Sequence, residues 1–160
     1  MACRNGHLSI LNFLLVDFGA DINEAPTSRV GWCPLKWACH KGDPIIVSTL
    51  LEHGADPNGN KNESLWSPLH IVCHKGDMEC TKELLNHGAD INGKCDGEKT
   101  PLHIACYMGE CACVQELLHF GADTHVRDGG GRTPLELAQK EGHELVVRTL
   151  SKHRNWVDVL

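Results

Sequence analysis

The chain has 160 residues, of which 41% are hydrophobic and 22% charged, and its formal net charge is −6 at pH 7. This length can bury a core without metals or disulfides, so we expect one domain, and the negative charge disfavours binding to nucleic acid or an acidic membrane. Without an apolar run of about 20 residues or a secretory leader, the sequence predicts a soluble protein of the cytoplasm, the nucleus or both.

Two short sequence markers recur at a nearly constant interval along the chain. The marker Pro-Leu begins at Pro34, Pro68, Pro101 and Pro134. The marker Gly-Ala-Asp begins at Gly19, Gly54, Gly88 and Gly121. The successive intervals are 34, 33 and 33 residues for the first marker and 35, 34 and 33 for the second. Two markers that keep one period of this length indicate a repeat architecture.

Each unit between these markers predicts two short helices. The first helix begins at the proline of Pro-Leu, usually after a Ser or Thr that can cap it. A glycine ends each first helix, at Gly42, Gly76, Gly109 and Gly142. The second helix carries a pair of leucines and ends at the glycine of Gly-Ala-Asp. The residues that remain before the next Pro-Leu predict an extended finger.

The segments Thr100-Pro101-Leu102-His103-Ile104-Ala105 and Ser67-Pro68-Leu69-His70-Ile71-Val72 resemble the ankyrin repeat, as do the Gly-Ala-Asp-x-Asn segments. The resemblance covers nearly the whole chain. It implies an all-α repeat solenoid of stacked helix-turn-helix pairs with β-hairpin fingers along one edge. We expect a single domain over 1–160, with about four full repeats after a truncated one. The approximate bounds are 1–23 for the partial repeat, 32–58, 66–92, 99–125 and 132–152 for the full repeats, and 153–160 for a tail.

Two positions depart from the family pattern. Lys36 and Glu136 stand where the family has a histidine that hydrogen-bonds the capping residue, which puts that bond in question in both repeats. Trp37 lies where other repeats have Ile71, Ile104 or Leu137, so we expect it in the core.

Nine cysteines and eleven histidines raise the question of a metal or redox site. Most cysteines share positions across repeats, namely Cys3, Cys39, Cys73 and Cys106 in the first helix, and Cys80 and Cys113 in the second. This register is typical of small core residues, and the paired ligands of a structural zinc site are missing. We therefore expect no metal ligands and no cofactor. Cys33, Cys95 and Cys111 are not explained by the register, which leaves a metal- or redox-sensing protein as an alternative.

The sequence also lacks the patterns expected of an enzyme. His70 and His103 follow a capping Ser or Thr by three residues, where the family uses histidine to fasten the turn. Neither a nucleophile elbow nor a phosphate-binding loop occurs. We expect no catalytic residues.

Binding is the function that the resemblance implies. In this family, contacts come from the residue before the cap and from the pair before the glycine that ends the first helix. Those slots hold Trp32, Trp66, Lys99 and Arg132, and His40, Lys41, His74, Lys75, Tyr107 and Met108, with Arg29 at the tip of the longest predicted finger. Trp and Arg are frequent hot spots, although Trp32 and Trp66 could instead pack between fingers. We expect a monomeric module whose partner is a protein or peptide with an acidic and apolar segment.

The truncated first repeat favours the hypothesis that the chain is a piece of a larger regulatory or scaffold protein, with the substrate receptor of a ubiquitin ligase as an alternative.

The resemblance also implies one modification. Asparagines that follow Gly-Ala-Asp in this context resemble substrates of the asparaginyl hydroxylase. Asn23, Asn58 and Asn92 match, and His125 occupies the same slot. Hydrogen bonding within the hairpin is the structural explanation of the same residues.

Overall fold

The computed structural model describes residues 21–23, 32–59 and 66–157. Arg29, Cys3 and most of the partial first repeat lie outside the described residues. The described ranges contain four helix pairs and a short 3-10 turn at Asp96–Glu98. The helices are α1 (Pro34–Lys41), α2 (Pro44–Glu52), α3 (Pro68–Lys75), α4 (Met78–Asn86), α5 (Pro101–Met108), α6 (Cys111–His119), α7 (Pro134–Glu141) and α8 (Glu144–Val157).

The predicted starts and ends of the first helices are confirmed. Proline occupies the first turn of α1, α3, α5 and α7, where its missing N–H costs no helical hydrogen bond. A left-handed glycine follows each of them. Gly109, with a φ of 79°, also lies against the next repeat, because a Cβ there would be 2.6 Å from Nδ1 of His143. This position therefore requires glycine for both its conformation and its packing.

The second helices begin immediately after that turn. The carboxylates of Asp43 and Asp77 cap α2 and α4 by accepting hydrogen bonds from the N–H groups of Ile46 and Cys80, at 3.1 and 3.0 Å. Each second helix ends before the glycine of Gly-Ala-Asp, as the sequence predicts, except that α8 runs on to Val157.

The helices stack in two layers. The first helices α1, α3, α5 and α7 pack successively against one another, and so do the second helices α2, α4, α6 and α8. Most leucines of both layers are buried between them, together with the cysteines at the two shared positions, whereas Leu145 of α8 is 64% exposed. The prediction of an all-α stack of helix pairs is confirmed.

The fingers are compact turns where the structure describes them. The N–H of Cys95 donates to the carbonyl of Lys99 at 2.9 Å, and Asp128 donates in the same way to Arg132 at 2.9 Å. A hydrogen bond of 2.7 Å from Gly129 to the carbonyl of Gly97 joins these two turns. No strand is assigned within the described ranges, so the β-hairpin fingers and the total number of repeats stay predictions.

The structure corrects two expectations drawn from the family pattern. Glu136 replaces the family histidine and still makes the bond, because its Oε2 accepts from the N–H of Thr133 at 2.7 Å. A carboxylate has the reach and the acceptor to complete a capping box. Trp37 is only half-buried, because the slot that holds Ile or Leu elsewhere cannot enclose an indole. In α1 the capping residue Cys33 makes no side-chain capping bond.

Candidate partner-binding surface

One side-chain pairing recurs in three successive repeats on the surface of the first helices. The residue two positions before the helix proline contacts the residue six positions after it. Ring centroids are 5.3 Å apart for Trp32 and His40 and 5.5 Å apart for Trp66 and His74, both edge to face. In the third repeat Nζ of Lys99 lies 5.9 Å from the centroid of the Tyr107 ring. We call these three pairs the ring ladder.

Trp37 adds a third aromatic ring to the first pair of the ring ladder, Trp32 and His40. Its ring lies 5.1 Å from that of Trp32 and 6.2 Å from that of His40, centroid to centroid. Sequence reasoning did not place Trp37 at this surface. The available signal was its size, since an indole at a position otherwise filled by Ile or Leu has to extend beyond the core.

The ring ladder combines half-buried tryptophans with solvent-exposed rings. Trp32 and Trp66 are half-buried and pack partly against the core, whereas His40, His74 and Tyr107 are exposed. The tryptophans therefore contribute to packing against the core and also present an apolar edge beside exposed polar rings. Such amphipathic aromatic groups are frequent at protein interfaces.

Two lysines flank the ring ladder at the ends of α1 and α3. Lys41 and Lys75 are exposed, and neither forms an ion pair with another residue of the described ranges. Desolvation lowers the pKa of His40, and the ammonium groups of Lys75 and Lys41 lower it further. Both lysines thus act on the same ring and oppose its protonation.

The remaining predicted contact residues have other surroundings. Met108 is half-buried and packs against the core. The guanidinium of Arg132 is turned towards its own finger, where Nη2 lies 3.5 Å from Oδ2 of the buried Asp128. Desolvation opposes ionisation of Asp128, yet N–H donors from Arg132 and Gly130 and the Arg132 charge keep its pKa below the usual range. Arg132 therefore stabilises a turn.

The asparagines of the Gly-Ala-Asp-x-Asn segments form a second recurring feature, the asparagine ladder. Oδ1 of Asn23 accepts from the N–H of Asp56 at 2.8 Å, and Oδ1 of Asn58 accepts from Asp90 at 2.7 Å. Oδ1 of Asn92 likewise accepts from the N–H of Asp123 at 3.0 Å. Each of these side-chain bonds joins one repeat to the next. The expected bonding within the hairpin is also present, because the backbone N–H of each asparagine donates to Oδ1 of the aspartate two residues earlier.

His125 occupies the asparagine slot after the last Gly-Ala-Asp segment. Its exposed ring lies 3.6 Å from Oδ1 of Asp123 and 3.3 Å from Oγ1 of Thr124. Both contacts are local.

The described cysteines are mostly enclosed. Of the three cysteines that the register does not explain, Cys33 and Cys95 are 2% and 4% exposed, whereas Cys111 is half-buried. Burial raises the pKa of the Cys39, Cys73 and Cys106 thiols well above the usual range. No group of three or more His, Cys, Asp or Glu side chains is placed to hold a metal ion in the described part of the chain.

Comparison with known proteins agrees with this architecture. The family model described as ankyrin repeats (3 copies) matches residues 1–61 and 59–128. The putative ankyrin repeat protein YahD of Escherichia coli (strain K12) is 44% identical over 62 residues, which cover 36% of this chain and 30% of that protein. The human protein phosphatase 1 regulatory subunit 27 is 37% identical over 62 residues, or 39% of this chain and 38% of that protein.

The matched stretches thus cover 30% and 38% of the length of these two relatives.

No helix in the described ranges is long and apolar enough to cross a membrane. The family model covers well over half of the sequence, and the helix pairs, the capping residues and the repeat period all agree with it. The chain belongs to the ankyrin-repeat family.

Proposed function

We propose that this chain is a non-catalytic recognition module, part of a larger regulatory or scaffold protein, that binds a partner protein through the ring ladder. The observation that carries the proposal is the repetition of one surface pairing in three consecutive repeats. Exposed rings at the same register on adjacent helices add a continuous surface that a solenoid can offer to a partner.

The chemistry of this surface favours a partner segment that is both acidic and apolar. The edges of Trp32 and Trp66 offer apolar contact area, and exposed ammonium groups at Lys41 and Lys75 offer positive charge. Complementary charge speeds association and selects partners, while buried aromatic anchors supply most of the binding energy. The human relative is named a regulatory subunit, which supports a non-catalytic role here.

Affinity capture followed by direct binding measurements tests the proposal. The 160-residue chain and its Trp32→Ala/Trp66→Ala variant are used as baits, and circular dichroism establishes that both are folded. We expect a specific partner to bind the parent chain and to lose about 30-fold or more in affinity for the variant, as for truncation of a hot-spot aromatic.

The control is Ile45→Ala, which truncates a side chain that is 62% exposed on α2, in the second-helix layer. This variant should bind the partner as the parent does. If the folded tryptophan variant retains full affinity, the ring ladder is not the binding surface and the proposed function fails.

A further inference from the structure

The cations on the first-helix surface fall into two groups. Lys41 and Lys75 are exposed and have no ion-pair partner among the described residues. In the next two repeats the cations are engaged within the chain. Lys99 lies over the Tyr107 ring, Arg132 is 3.5 Å from Asp128, and Lys140 is 3.2 Å from Glu141. The uncompensated positive charge is therefore concentrated over α1 and α3.

No carboxylate of the described residues forms an ion pair with Lys41 or Lys75. The helices α1, α3 and α5 contain no acidic residue, whereas α7 contains two. Asp43 and Asp77 follow Lys41 and Lys75 by two residues in sequence, and their Oδ1 atoms cap α2 and α4. The carboxylates of Asp77 and Glu110 lie beside Gly42 and Gly76, yet neither pairs with the adjacent lysine. An acid supplied by a partner would therefore meet two unpaired ammonium groups.

The register of the two lysines sets the spacing of such acids. Each is the last residue of its helix, and α1 packs directly against α3. The axes of packed helices lie about 8–10 Å apart. An extended peptide rises about 3.3 Å per residue, so about three residues cross from one repeat to the next. Trp32 and Trp66 are offset by the same single repeat.

The residue type favours two carboxylates over one phosphate. Lysine carries a compact point charge, whereas the planar guanidinium of arginine is suited to bidentate recognition of a doubly charged phosphate. Two lysines separated by a repeat match two separate single charges.

On the basis of the proposed function, we infer that the partner is an extended segment with two carboxylates three residues apart, seated on Lys41 and Lys75, with an apolar side chain against Trp32 and Trp66. The segment runs across α1 and α3. The surfaces of α5 and α7, whose cations are already engaged, contribute little to this recognition.

A set of fluorescein-labelled 12-residue peptides of constant composition tests this inference with the full 160-residue chain. Each peptide carries one Phe, one Leu and two Glu in a Ser/Gly background, and the separation of the two Glu varies from one to eight positions. Fluorescence polarisation gives the affinities. We expect the tightest binding at a separation of three, and a loss of about tenfold or more for Lys41→Glu or Lys75→Glu.

Two matched variants and a charge exchange complete the design. Lys140→Glu changes an engaged cation of α7, and Lys82→Glu changes an exposed cation of α4. Both should bind like the parent chain. Peptides with Lys in place of Glu should bind the Lys41→Glu/Lys75→Glu variant and not the parent, because the charge pairs are then restored with opposite sign.

The results separate this inference from the proposed function. Affinity that does not depend on the separation, equal losses for Lys140→Glu and Lys41→Glu, or no binding of any acidic peptide would each overturn the inference. In all three cases a natural partner that is lost by Trp32→Ala/Trp66→Ala would leave the proposed function standing.

Discussion

The side-chain carbonyl of Asn58 accepts a hydrogen bond of 2.7 Å from the backbone N–H of Asp90, one repeat further along the chain. Asn23 and Asn92 make the same bond at their own junctions. The asparagine ladder thus joins successive turns at the edge of the stack, where helix packing does not reach. Its members are at the surface, yet each bond satisfies a backbone donor.

The asparagine ladder predicts the stability of variants in one slot. Asn58→Ala should lower the free energy of unfolding by about 0.5–1.5 kcal/mol, because the exposed N–H of Asp90 exchanges its bond to Asn58 for one to water. His125→Ala is the matched control and should change stability by less than about 0.5 kcal/mol, since the His125 contacts are local and exposed. Urea unfolding followed by circular dichroism measures both. Equal effects of the two variants would argue against the bridging role.

Hydroxylation of the same residues stays a prediction, and the structure adds a kinetic expectation. We expect an asparaginyl hydroxylase to add one oxygen atom to Asn23, Asn58 and Asn92, detected by peptide mass spectrometry. Because these side chains bond to the next repeat, the enzyme has to act on a locally opened junction. Modification of Asn58 should therefore be faster in a chain destabilised by Leu84→Ala. An unchanged rate would contradict this requirement, and unmodified asparagines would exclude the substrate assignment.

The two capping histidines predict a stability that falls in weak acid. In His103, Nδ1 accepts from the N–H of Thr100 at 3.2 Å, and Nε2, which carries the proton, donates to the carbonyl of Arg132 at 3.1 Å. His70 has the same arrangement with Ser67 and Lys99. Desolvation lowers the pKa of both rings from the usual 6.5, since protonation would charge a buried ring and place two donors face to face.

A folded-state pKa below the unfolded value means that stability is fully present above about pH 6.5 and is lost as the pH falls towards the folded pKa. The free energy of unfolding should therefore decrease between pH 7 and pH 5. The His70→Gln/His103→Gln variant should show a shallower decrease, because glutamine does not titrate. Urea titrations at pH 7, 6 and 5 compare the slopes, and identical slopes would assign the acid sensitivity to other groups.

Glu136 predicts the pH response of the last capping box. The N–H of Thr133 donates to its carboxylate at 2.7 Å, and this bond is the main reason that the pKa of Glu136 is lowered. The stabilisation by this bond should be present above the usual glutamate pKa and disappear as the pH falls through the lowered, folded-state pKa of Glu136. In thermal melts, Glu136→Ala should have a lower melting temperature than the parent chain at pH 7. This difference in melting temperature should shrink towards pH 3. A difference independent of pH would mean that the charge is irrelevant.

Thiol labelling tests the redox-sensing alternative. Among the described cysteines, only Cys111 is more than marginally exposed, and burial raises the pKa of Cys39 and Cys73. In the folded chain a thiol-reactive disulfide should label Cys111 within minutes and leave the core thiols unlabelled until urea is added. Peptide mapping by mass spectrometry identifies the labelled sites. Rapid labelling of Cys39 or Cys73 without denaturant would support a reactive thiol cluster.

The sequence alone determined the period, the helix pairs and the residues that begin and end the first helices. These features depend on local chemistry, such as proline at a helix start, glycine after its end and leucines at helical spacing, and repetition makes each of them visible several times. The register also identified the buried cysteines, because Cys73 and Cys106 fall at one position of the repeat.

Only the tertiary structure decided how the surface residues are used. Lys75 and Arg132 are both predicted contact residues, yet Lys75 forms no ion pair within the described ranges, whereas Arg132 pairs with Asp128. Asn58 bonds within its own turn through its backbone N–H, as expected, but its side-chain carbonyl also bonds to the next repeat, which the sequence did not predict. Surface pairings depend on which side chains the stacking brings within a few ångströms of one another. These distances arise only when the chain folds, so the order of residues along the chain does not reveal them.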